Sequence, residues 1–326
     1  MSKKSEKPTI FVTRRWPDAA EEALKQYFTP TFNEQDVPLT AAQIAAGFAS
    51  HDALAPTVSD QITADIIAAG AAGSGRLIAN FGVGVNHIDL AAAASAGLAV
   101  SNTPGVLTDA TADLALTLML MVSRRAGEGE RELRAGKWHG WRPTHLMGRS
   151  LSGKTLGIIG MGRIGKAVAH RAALGFGMKI IFFNRSKVTD ITDYDAKQID
   201  DLDALCAQSD FLSLHCAASA DTFHILNEYR LQRMPAHAYV INTARGDVID
   251  EAALVRALHS GSIGGAGLDV FQGEPDIHPD ILTAPNTVLL PHLGSATVET
   301  RTAMGLKVVE NARAFFAGER LIDPVV

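Results

Sequence analysis

Short apolar runs alternate with longer amphipathic stretches along the whole chain. Apolar runs of about four to eight residues favour buried strands, and the amphipathic stretches between them favour helices. Such alternation is typical of repeated βα units, whose strands form parallel sheets. The pattern therefore predicts an α/β protein with doubly wound parallel sheets.

The first βα series fills the first third of the chain. Its apolar runs predict strands at TIFVT, ALAPTV, RLIANF and LAVSN. The stretches between them predict helices at DAAEEALKQY, TAAQIAAGF, QITADIIAAG and DLAAAASAG. After Thr103 and Pro104 the pattern changes, and Leu107 to Arg125 predict one long, mostly apolar helix that packs against neighbours on most sides.

A second βα series begins at Thr155. Its apolar runs predict strands at TLGIIG, KIIFFN, DFLSLH, AYVINT, GAGLDV and TVLLPH, which make a full dinucleotide-binding domain. The final stretch, VETRTAMGLKVVENARAFFAG, predicts a helix that packs back on the first domain. We therefore predict a discontinuous first domain of residues 1–103 and 294–326, and a second domain of residues 104–293.

Composition and charge narrow the class of protein. The 326 residues fit two domains of medium size, and 47% hydrophobic with 20% charged residues allow a sizeable core. The net charge of −5 argues against nucleic acid as a partner, because nucleic-acid-binding surfaces are basic. We therefore expect a globular protein whose ligands are small molecules.

Cysteine usage and the N-terminal residues bear on the compartment. Cys206 and Cys216 lie in apolar surroundings without CxxC spacing, which indicates buried, reduced thiols and favours the cytoplasm. The start, MSKKSEKPT, has no apolar segment of a secretory signal. The most apolar run, residues 112–122, is too short to cross a bilayer, so we expect no membrane partner.

The stretch GMGRIG, Gly160 to Gly165, stands between the predicted strand TLGIIG and a predicted helix through KAVAHRAA. In this context GxGxxG is a specific signature of dinucleotide binding. Gly160 permits the tight turn, Gly162 lets the pyrophosphate approach the backbone, and Gly165 lets helix and strand pack closely. The phosphates then meet N–H groups at the start of the helix.

A second glycine loop, FGVGVNHID, follows the predicted strand RLIANF. His87 stands where a dinucleotide loop has its third glycine, so this loop is the poorer match. We predict a tight βα turn without a nucleotide, and we leave open that the turn contacts a substrate.

The residues after KIIFFN bear on the choice of cofactor. NAD sites usually place an acid there, which accepts both ribose hydroxyls. Here Asn184 ends the run, Arg185 and Ser186 follow it, and no acid occurs before Asp190. Arg185 can bind a 2′-phosphate through a fork of donors, and Ser186 can add a hydroxyl. The alternative is an ordinary exposed basic turn. We predict that NADP(H) is preferred and that NAD(H) is possible.

Ligands of open parallel sheets bind at the carboxyl ends of the strands. The polar residues at predicted strand ends are Arg245, Asp269, Glu274 in the loop beyond it, His292 and His215. Reduction of a 2-oxo acid needs a cation for the carboxylate, a proton donor for the forming alkoxide, and a carboxylate beside that donor. Arg245, His292 and Glu274 supply this set, and His215 is the rival proton donor. We find no GxSxG elbow, P-loop or metal-ligand cluster.

Six stretches carry a family resemblance that covers nearly the whole chain: NFGVGVNHID, SNTPGVLTDATADLAL, GKTLGIIGMGRIGKAVA, INTARGDVIDEAAL, GAGLDVFQGEP and LLPHLGSAT. Together they resemble the D-isomer-specific 2-hydroxyacid dehydrogenases, and within them the glyoxylate/hydroxypyruvate reductases. The resemblance implies a flavodoxin-like substrate domain and a Rossmann cofactor domain with a cleft between them. It also implies a homodimer, with a dimerisation arm at about residues 107–150.

The resemblance also implies roles for single residues. Arg245, Glu274 and His292 would be the catalytic trio, and Asp269 would face the nicotinamide carboxamide. The resemblance implies that Val83 and Gly84 bind the substrate carboxylate through backbone N–H groups. The expected substrate contacts are Val83, Gly84, Arg245, His292 and Ser295, the last because it is a small residue shortly after His292. The expected cofactor contacts are Thr108, Gly160, Gly162, Arg163, Ile164, Gly165, Asn184, Arg185, Ser186, Cys216, Thr243, Ala244, Asp269, His292 and Gly294.

The stretch WHGWRPTHLMG resembles that of the glyoxylate/hydroxypyruvate group and contains Trp138 and Trp141. We expect Trp138 to pack at a subunit interface. Trp141 either packs there as well or reaches across the dimer to wall the partner's substrate pocket. Two functions remain as alternatives: a reductase of a longer 2-oxo acid such as 2-oxogluconate, and a dinucleotide-sensing corepressor that binds peptide motifs.

Overall fold

The computed structural model describes residues 7–326, which form two compact units. Unit 1 comprises the chain up to Leu107 together with Ala296–Val326, and unit 2 comprises Thr108–Ser295. The boundaries therefore lie after residues 107 and 295, whereas we predict them after residues 103 and 293. Thr103 still belongs to unit 1, because its N–H donates to the carbonyl of Gly82 at 3.0 Å. Residues 1–6, part of the polar start in which we predict no secretory signal, lie outside the described residues.

Unit 1 has one parallel sheet. Its strands are β1 (Thr9–Val12), β2 (Thr29–Phe32), β3 (Ala53–Ala55), β4 (Leu77–Ala79) and β5 (Ala99–Ser101). Its helices are α1 (Asp18–Tyr27), α2 (Ala41–Ser50), α3 (Ala64–Ala72), α4 (Leu90–Ser95) and, from the end of the chain, α12 (Val298–Phe316). The strand order β2-β1-β3-β4-β5 is that of flavodoxin-like sheets.

Alternation along the strands of unit 1 divides its core between two faces. Leu54 and Ile78 pack with residues of α2 and α3 on one face. Leu77 and Ala79 pack on the other face, in the cluster to which α1 and α12 contribute. Because successive strand residues point to opposite faces, these runs are apolar throughout and carry helices on both sides.

Unit 2 has a larger parallel sheet. Its strands are β6 (Thr155–Ile159), β7 (Lys179–Phe183), β8 (Ala196–Gln198), β9 (Phe211–Leu214), β10 (Tyr239–Asn242), β11 (Gly265–Leu268) and β12 (Thr287–Leu289). Its helices are α5 (Thr108–Ser123), α6 (Ala126–Arg134), α7 (Arg163–Phe176), α8 (Leu202–Gln208), α9 (Glu228–Leu231), α10 (Glu251–Ser260) and α11 (Pro279–Thr283). The order β12-β11-β10-β9-β6-β7-β8 is the Rossmann order with one further strand. The predicted fold class, two doubly wound parallel sheets, is confirmed.

Some predicted elements need correction. The long helix predicted to reach Arg125 ends at Ser123, because Arg125 adopts a left-handed φ of 52° and caps the separate helix α6, which starts at Ala126. Two strands of the structure, β2 and β8, are not among the strands predicted from the sequence. Among the described residues, no helix is both long and apolar enough to cross a bilayer.

Candidate active site

Three polar side chains follow three neighbouring strands of the sheet in unit 2. Arg245 follows β10, Glu274 lies in the loop after β11, and His292 follows β12. Parallel strands end at the same edge of a sheet, so these residues meet there. The Nδ1 atom of His292 lies 2.8 Å from Oε2 of Glu274, and the charge of Glu274 acts on Arg245. The structure brings the predicted trio together, and its catalytic role stays a prediction.

The contact between Glu274 and His292 defines a donor and an acceptor. An ionised carboxylate can only accept, so Nδ1 of His292 donates, and Nε2 is the ring atom available to a ligand. The other oxygen, Oε1 of Glu274, accepts from the Phe271 N–H at 2.6 Å. Burial acts to raise the pKa of Glu274, but the hydrogen bonds from His292 and Phe271 and the charge of His292 hold it below its usual value. A negative charge therefore stands beside His292 at neutral pH.

The backbone at Arg245 is held in place by a neighbouring side chain and by close packing. The buried side chain of Asn242 accepts from the Ala244 N–H at 3.0 Å and donates to the Arg245 carbonyl at 2.8 Å. The next residue, Gly246, packs so closely that a Cβ atom there would lie 1.9 Å from the Phe271 carbonyl carbon. The turn that carries Arg245 thus packs directly against the loop that leads to Glu274. Burial lowers the pKa of Arg245, although Glu274 acts to raise it, and a guanidinium stays charged in proteins.

The backbone at His292 is strained and is held by Asp269. His292 has a φ of 55°, in the left-handed region that non-glycine residues rarely adopt. Its N–H donates to the Asp269 carbonyl at 2.9 Å. The Asp269 carboxylate accepts from the N–H groups of Leu293 at 2.6 Å and Gly294 at 2.8 Å. Asp269 therefore fixes the His292 loop, and its predicted contact with a nicotinamide carboxamide stays a prediction.

Burial raises the pKa of Asp269 to about 6. The N–H groups of Leu293 and Gly294 and the charge of His292 act in the opposite direction, and burial outweighs them. The carboxyl group is thus ionised at neutral pH and becomes protonated in mildly acid solution.

His215, the rival proton donor, has a different environment. Its Nε2 atom lies 2.8 Å from the hydroxyl of Ser213, and burial lowers its pKa to about 4. No carboxylate is bonded to it among the described residues. A histidine with this pKa is neutral at physiological pH and has no proton to donate from a charged ring. These observations favour His292 over His215.

The loop after β6 has the geometry that a dinucleotide requires. Gly160 has a φ of 95°, and a Cβ atom there would lie 2.6 Å from the backbone nitrogen of Cys216, so only glycine is accommodated. At Gly162 a Cβ atom would meet nothing within 4 Å, and no side chain caps the start of α7. Thr243 adds a buried hydroxyl without a hydrogen-bond partner among the described residues. These residues fit a bound dinucleotide, whose phosphates would meet the first N–H groups of α7.

The turn after β7 carries the predicted 2′-phosphate contacts. Asn184 stabilises the turn itself: its Oδ1 accepts from the Met161 N–H at 3.0 Å, and its Nδ2 donates to the Ser186 carbonyl at 3.0 Å. The Arg185 side chain is 93% exposed, and its nearest acid is Asp221, with an N–O distance of 4.0 Å. Arg185 is therefore free to meet an anion from solution.

The other predicted cofactor contacts and Ser295 all lie in unit 2. Arg163 and Ile164 open α7, and Thr108 opens α5. One turn later Thr111 donates its hydroxyl to the Gly294 carbonyl at 3.1 Å, which places the start of α5 beside the His292 loop. The remaining contacts in unit 2 are Ala244 before Arg245, Cys216 against Gly160, and Ser295 at its last residue.

Not every predicted site residue belongs to the strand ends of unit 2. Val83 and Gly84 belong to unit 1, in the loop after β4. Trp141 lies between α6 and β6 with 81% of its surface exposed. Asn242 was not predicted as a site residue, although it is the last residue of β10 and so stands at a strand end like the predicted residues.

Comparisons with known proteins identify the family. Residues 116–294 match the model of the D-isomer specific 2-hydroxyacid dehydrogenase, NAD binding domain. The chain is 40% identical over 317 residues to a glyoxylate reductase of Thermococcus litoralis, covering 96% of this chain and 95% of that protein. It is 41% identical over 316 residues to a glyoxylate reductase of Korarchaeum cryptofilum, covering 96% and 94%.

Solved structures agree with this similarity. A D-isomer specific 2-hydroxyacid dehydrogenase from Polaromonas superposes with a TM-score of 0.91 at 39% identity, covering 98% of this chain and 100% of that one. An NADPH-dependent glyoxylate/hydroxypyruvate reductase from Sinorhizobium meliloti, in complex with NADP and malonate, has a TM-score of 0.88 at 34% identity, covering 98% and 97%. The chain therefore belongs to the D-isomer-specific 2-hydroxyacid dehydrogenases, as its motifs predict, and is an NAD(P)-dependent dehydrogenase.

Proposed function

We propose that this protein reduces small 2-oxo acids, glyoxylate and hydroxypyruvate, and prefers NADPH as the hydride source. The observation that carries the proposal is the hydrogen-bonded pair of Glu274 and His292 beside Arg245, on the sheet that also carries the dinucleotide loop. The similarity to glyoxylate reductases along nearly the whole chain supports the same substrate class.

Each residue of the trio has one task in this reaction. A bound reduced nicotinamide supplies the hydride that adds to the keto carbon. Arg245 binds the substrate carboxylate and polarises the carbonyl group, since a guanidinium offers several donors in a fixed plane. His292 donates a proton from Nε2 to the oxygen that becomes the hydroxyl group. Glu274 stabilises the charged ring before that transfer, and Asp269 keeps the His292 loop in place.

The preference for NADPH rests on the turn after β7. The position that carries an acid in NAD sites is Asn184, which is engaged with its own turn and brings no negative charge. Arg185 and Ser186 follow as donors for a 2′-phosphate. The NADP complex of the Sinorhizobium relative supports the same choice for this chain.

We further propose that the protein is a homodimer and that Trp141 contacts the partner's substrate. Three large apolar side chains in the segment after α6 are exposed in the single chain: Trp138 by 51%, Trp141 by 81% and Met147 by 66%. Exposed apolar side chains clustered in one segment are typical of a protein interface. A rigid indole ring at the pocket would favour short substrates.

Initial rates over a panel of 2-oxo acids, each with NADPH and NADH, test the function. We expect glyoxylate and hydroxypyruvate to give the highest kcat/KM, and NADPH to exceed NADH. A higher kcat/KM with 2-oxogluconate than with glyoxylate or hydroxypyruvate would show that the preferred substrate is a longer 2-oxo acid. Tight NADPH binding without steady turnover of any acid would contradict the reductase and favour the nucleotide-sensing role.

A further inference from the structure

The glycine loop of unit 1, residues 80–87, has its carbonyl groups bound from inside the unit. The Gly82 carbonyl accepts from Nδ2 of Asn80 at 3.1 Å and from the Thr103 N–H at 3.0 Å. The Val83 carbonyl accepts from Nδ2 of Asn102 at 2.8 Å. The Gly84 carbonyl accepts from Nδ2 of Asn80 at 3.0 Å. Three consecutive carbonyl groups are thus held by two asparagine side chains and one backbone N–H.

These bonds fix the direction of the neighbouring N–H groups. A trans peptide is planar, and its C=O and N–H point in opposite directions. Holding the Gly82 carbonyl inward therefore turns the Val83 N–H outward, and holding the Val83 carbonyl turns the Gly84 N–H outward. Neither N–H has an acceptor among the described residues, and both residues are partly exposed. Two successive N–H groups that point to the same side can bind one anion together.

His87 determines how the Asn80 amide is oriented. Nδ2 of Asn80 donates to two carbonyl groups, so Oδ1 must be the acceptor on its other side. Nε2 of His87 lies 3.0 Å from that Oδ1, which makes the histidine nitrogen the donor. Both side chains are buried, Asn80 fully and His87 with 5% of its surface exposed. The residue that stands in place of a third glycine therefore locks the amide that shapes the loop.

We propose that Asn80, His87 and Asn102 are positioning residues that hold the Val83 and Gly84 N–H groups ready for the carboxylate of the substrate. The inference rests on the proposed function for the identity of that carboxylate, which belongs to a short 2-oxo acid. The three side chains act through the backbone, and their amide and imidazole donors carry no negative charge that would repel the anion. Their loss weakens substrate binding and leaves the hydride and proton transfers in place.

The experiment compares Asn80→Leu with Asn33→Leu. Asn33 is a matched control in the same unit, because its Nδ2 also donates to two carbonyl groups, those of Thr13 and Val37. Leucine has a similar size and no charge, so the comparison removes donors without adding repulsion. The probe is oxalate, titrated calorimetrically into protein saturated with NADP⁺, alongside KM and kcat for glyoxylate. We expect Asn80→Leu to raise both the oxalate Kd and the KM by about tenfold or more, with little change in kcat.

Asn33→Leu should leave both binding constants at the parent value. A folded Asn80→Leu protein that binds oxalate as the parent does would overturn the proposal. If Asn80→Leu does not fold, His87→Leu and His87→Gln decide the matter, because Nε2 of glutamine can replace the lost donor. Weak oxalate binding by His87→Leu with recovery in His87→Gln supports the positioning role, and equal binding by both overturns it.

Failure of the proposed function gives a different result. If the parent binds oxalate in an Asn80-dependent manner and reduces no 2-oxo acid, the carboxylate site stands and the reductase function falls. If the parent reduces glyoxylate and Asn80→Leu has an unchanged KM, the function stands and the positioning role falls. A parent that does not bind oxalate overturns the carboxylate site, whatever its turnover.

Discussion

The loop after β12 and the loop after β4 are both held by buried side chains, but through opposite backbone groups. In unit 2 the carboxylate of Asp269 accepts from the N–H groups of Leu293 and Gly294. In unit 1 the amide of Asn80 donates to the carbonyl groups of Gly82 and Gly84. The first loop uses its N–H groups internally and presents a side chain, His292. The second uses its carbonyl groups internally and presents N–H groups. The choice between an acid and an amide therefore decides which part of a loop faces a ligand.

The two supports also differ in charge. Asp269 is ionisable, with a pKa raised by burial to about 6, whereas an asparagine amide does not titrate. We therefore expect the loop in unit 2 to respond to pH through Asp269, whereas the Asn80 amide holds the loop in unit 1 without gaining or losing a proton.

Replacing His292 by alanine should separate chemistry from binding. We expect kcat to fall by about 10²–10⁴-fold, because the proton donor is lost, while the Kd for NADPH stays near the parent value. Steady-state rates and a fluorescence titration with NADPH measure the two quantities. The control is His215→Ala, which should retain far more activity. Equal losses in both variants would contradict the assignment of His292.

Replacing Asp269 by asparagine should change how stability depends on pH. In the parent, burial raises the pKa from 3.8 to about 6, so the protonated form is favoured in the fold and stability is lost as pH rises through about 6. The variant has no such ionisation. Its free energy of unfolding relative to the parent should therefore increase between pH 4 and pH 8, by up to about 3 kcal/mol.

Urea unfolding at several pH values measures this difference. The matched control is Asp276→Asn, which removes an exposed carboxyl group of the loop after β11. A constant difference between Asp269→Asn and the parent across the pH range would show that Asp269 is not the pH-sensitive support.

Replacing Arg185 by alanine tests whether an anion is recognised by a side chain as well as by backbone N–H groups. The variant should lose about 1.5–3 kcal/mol of the preference for NADPH over NADH, since a charge-assisted contact with the 2′-phosphate is removed. The ratio of kcat/KM values for the two cofactors measures the effect. Arg256→Ala, at another exposed arginine of unit 2, is the control. Equal losses with NADPH and NADH would refute the role of Arg185.

Replacing Trp141 by alanine should have the smallest effect. The relative rate on longer 2-oxo acids should rise by about 1 kcal/mol in transition-state free energy, because one apolar contact discriminates only weakly. Size-exclusion chromatography must accompany the kinetics. A dimer with an unchanged substrate profile would refute a wall formed by Trp141, and dissociation into monomers would support simple packing at the interface.

The fold could be predicted largely from the sequence because most strands are apolar and most helices amphipathic. The two missed strands lie at sheet edges, where one side of the strand lacks a partner strand. The β2 sequence, TPTF, contains Pro30, which argues against a strand interior, and its residues are partly or fully exposed. The β8 sequence, AKQ, has no apolar run at all. Edge strands of this kind are defined by their neighbours and not by their own residues.

In the candidate site, the positions of residues could be predicted from the sequence, but many of their contacts could not. Arg245, Glu274 and His292 could be predicted because each follows an apolar run, which predicts a strand and the point where that strand ends. Asn80 and Asn102 also stand directly after apolar strands, so their position at the strand ends of unit 1 was equally predictable. What they bind could not be predicted, because the Asn102 contact with the Val83 carbonyl spans 19 residues and depends on the pairing of β4 with β5. The support given by Asp269 likewise joins two residues, Asp269 and Leu293, that are 24 positions apart in sequence.

The environment of the two thiols makes the protein a convenient host for chemical labelling. Burial raises the pKa of Cys206 to about 12 and that of Cys216 to about 11, so almost no thiolate exists at neutral pH. Alkylating reagents attack the thiolate, and the folded protein should resist them. A cysteine introduced at the exposed Lys137, as Lys137→Cys, would then react selectively. A fluorophore or spin label could thus be attached beside Trp138 without first removing either native cysteine.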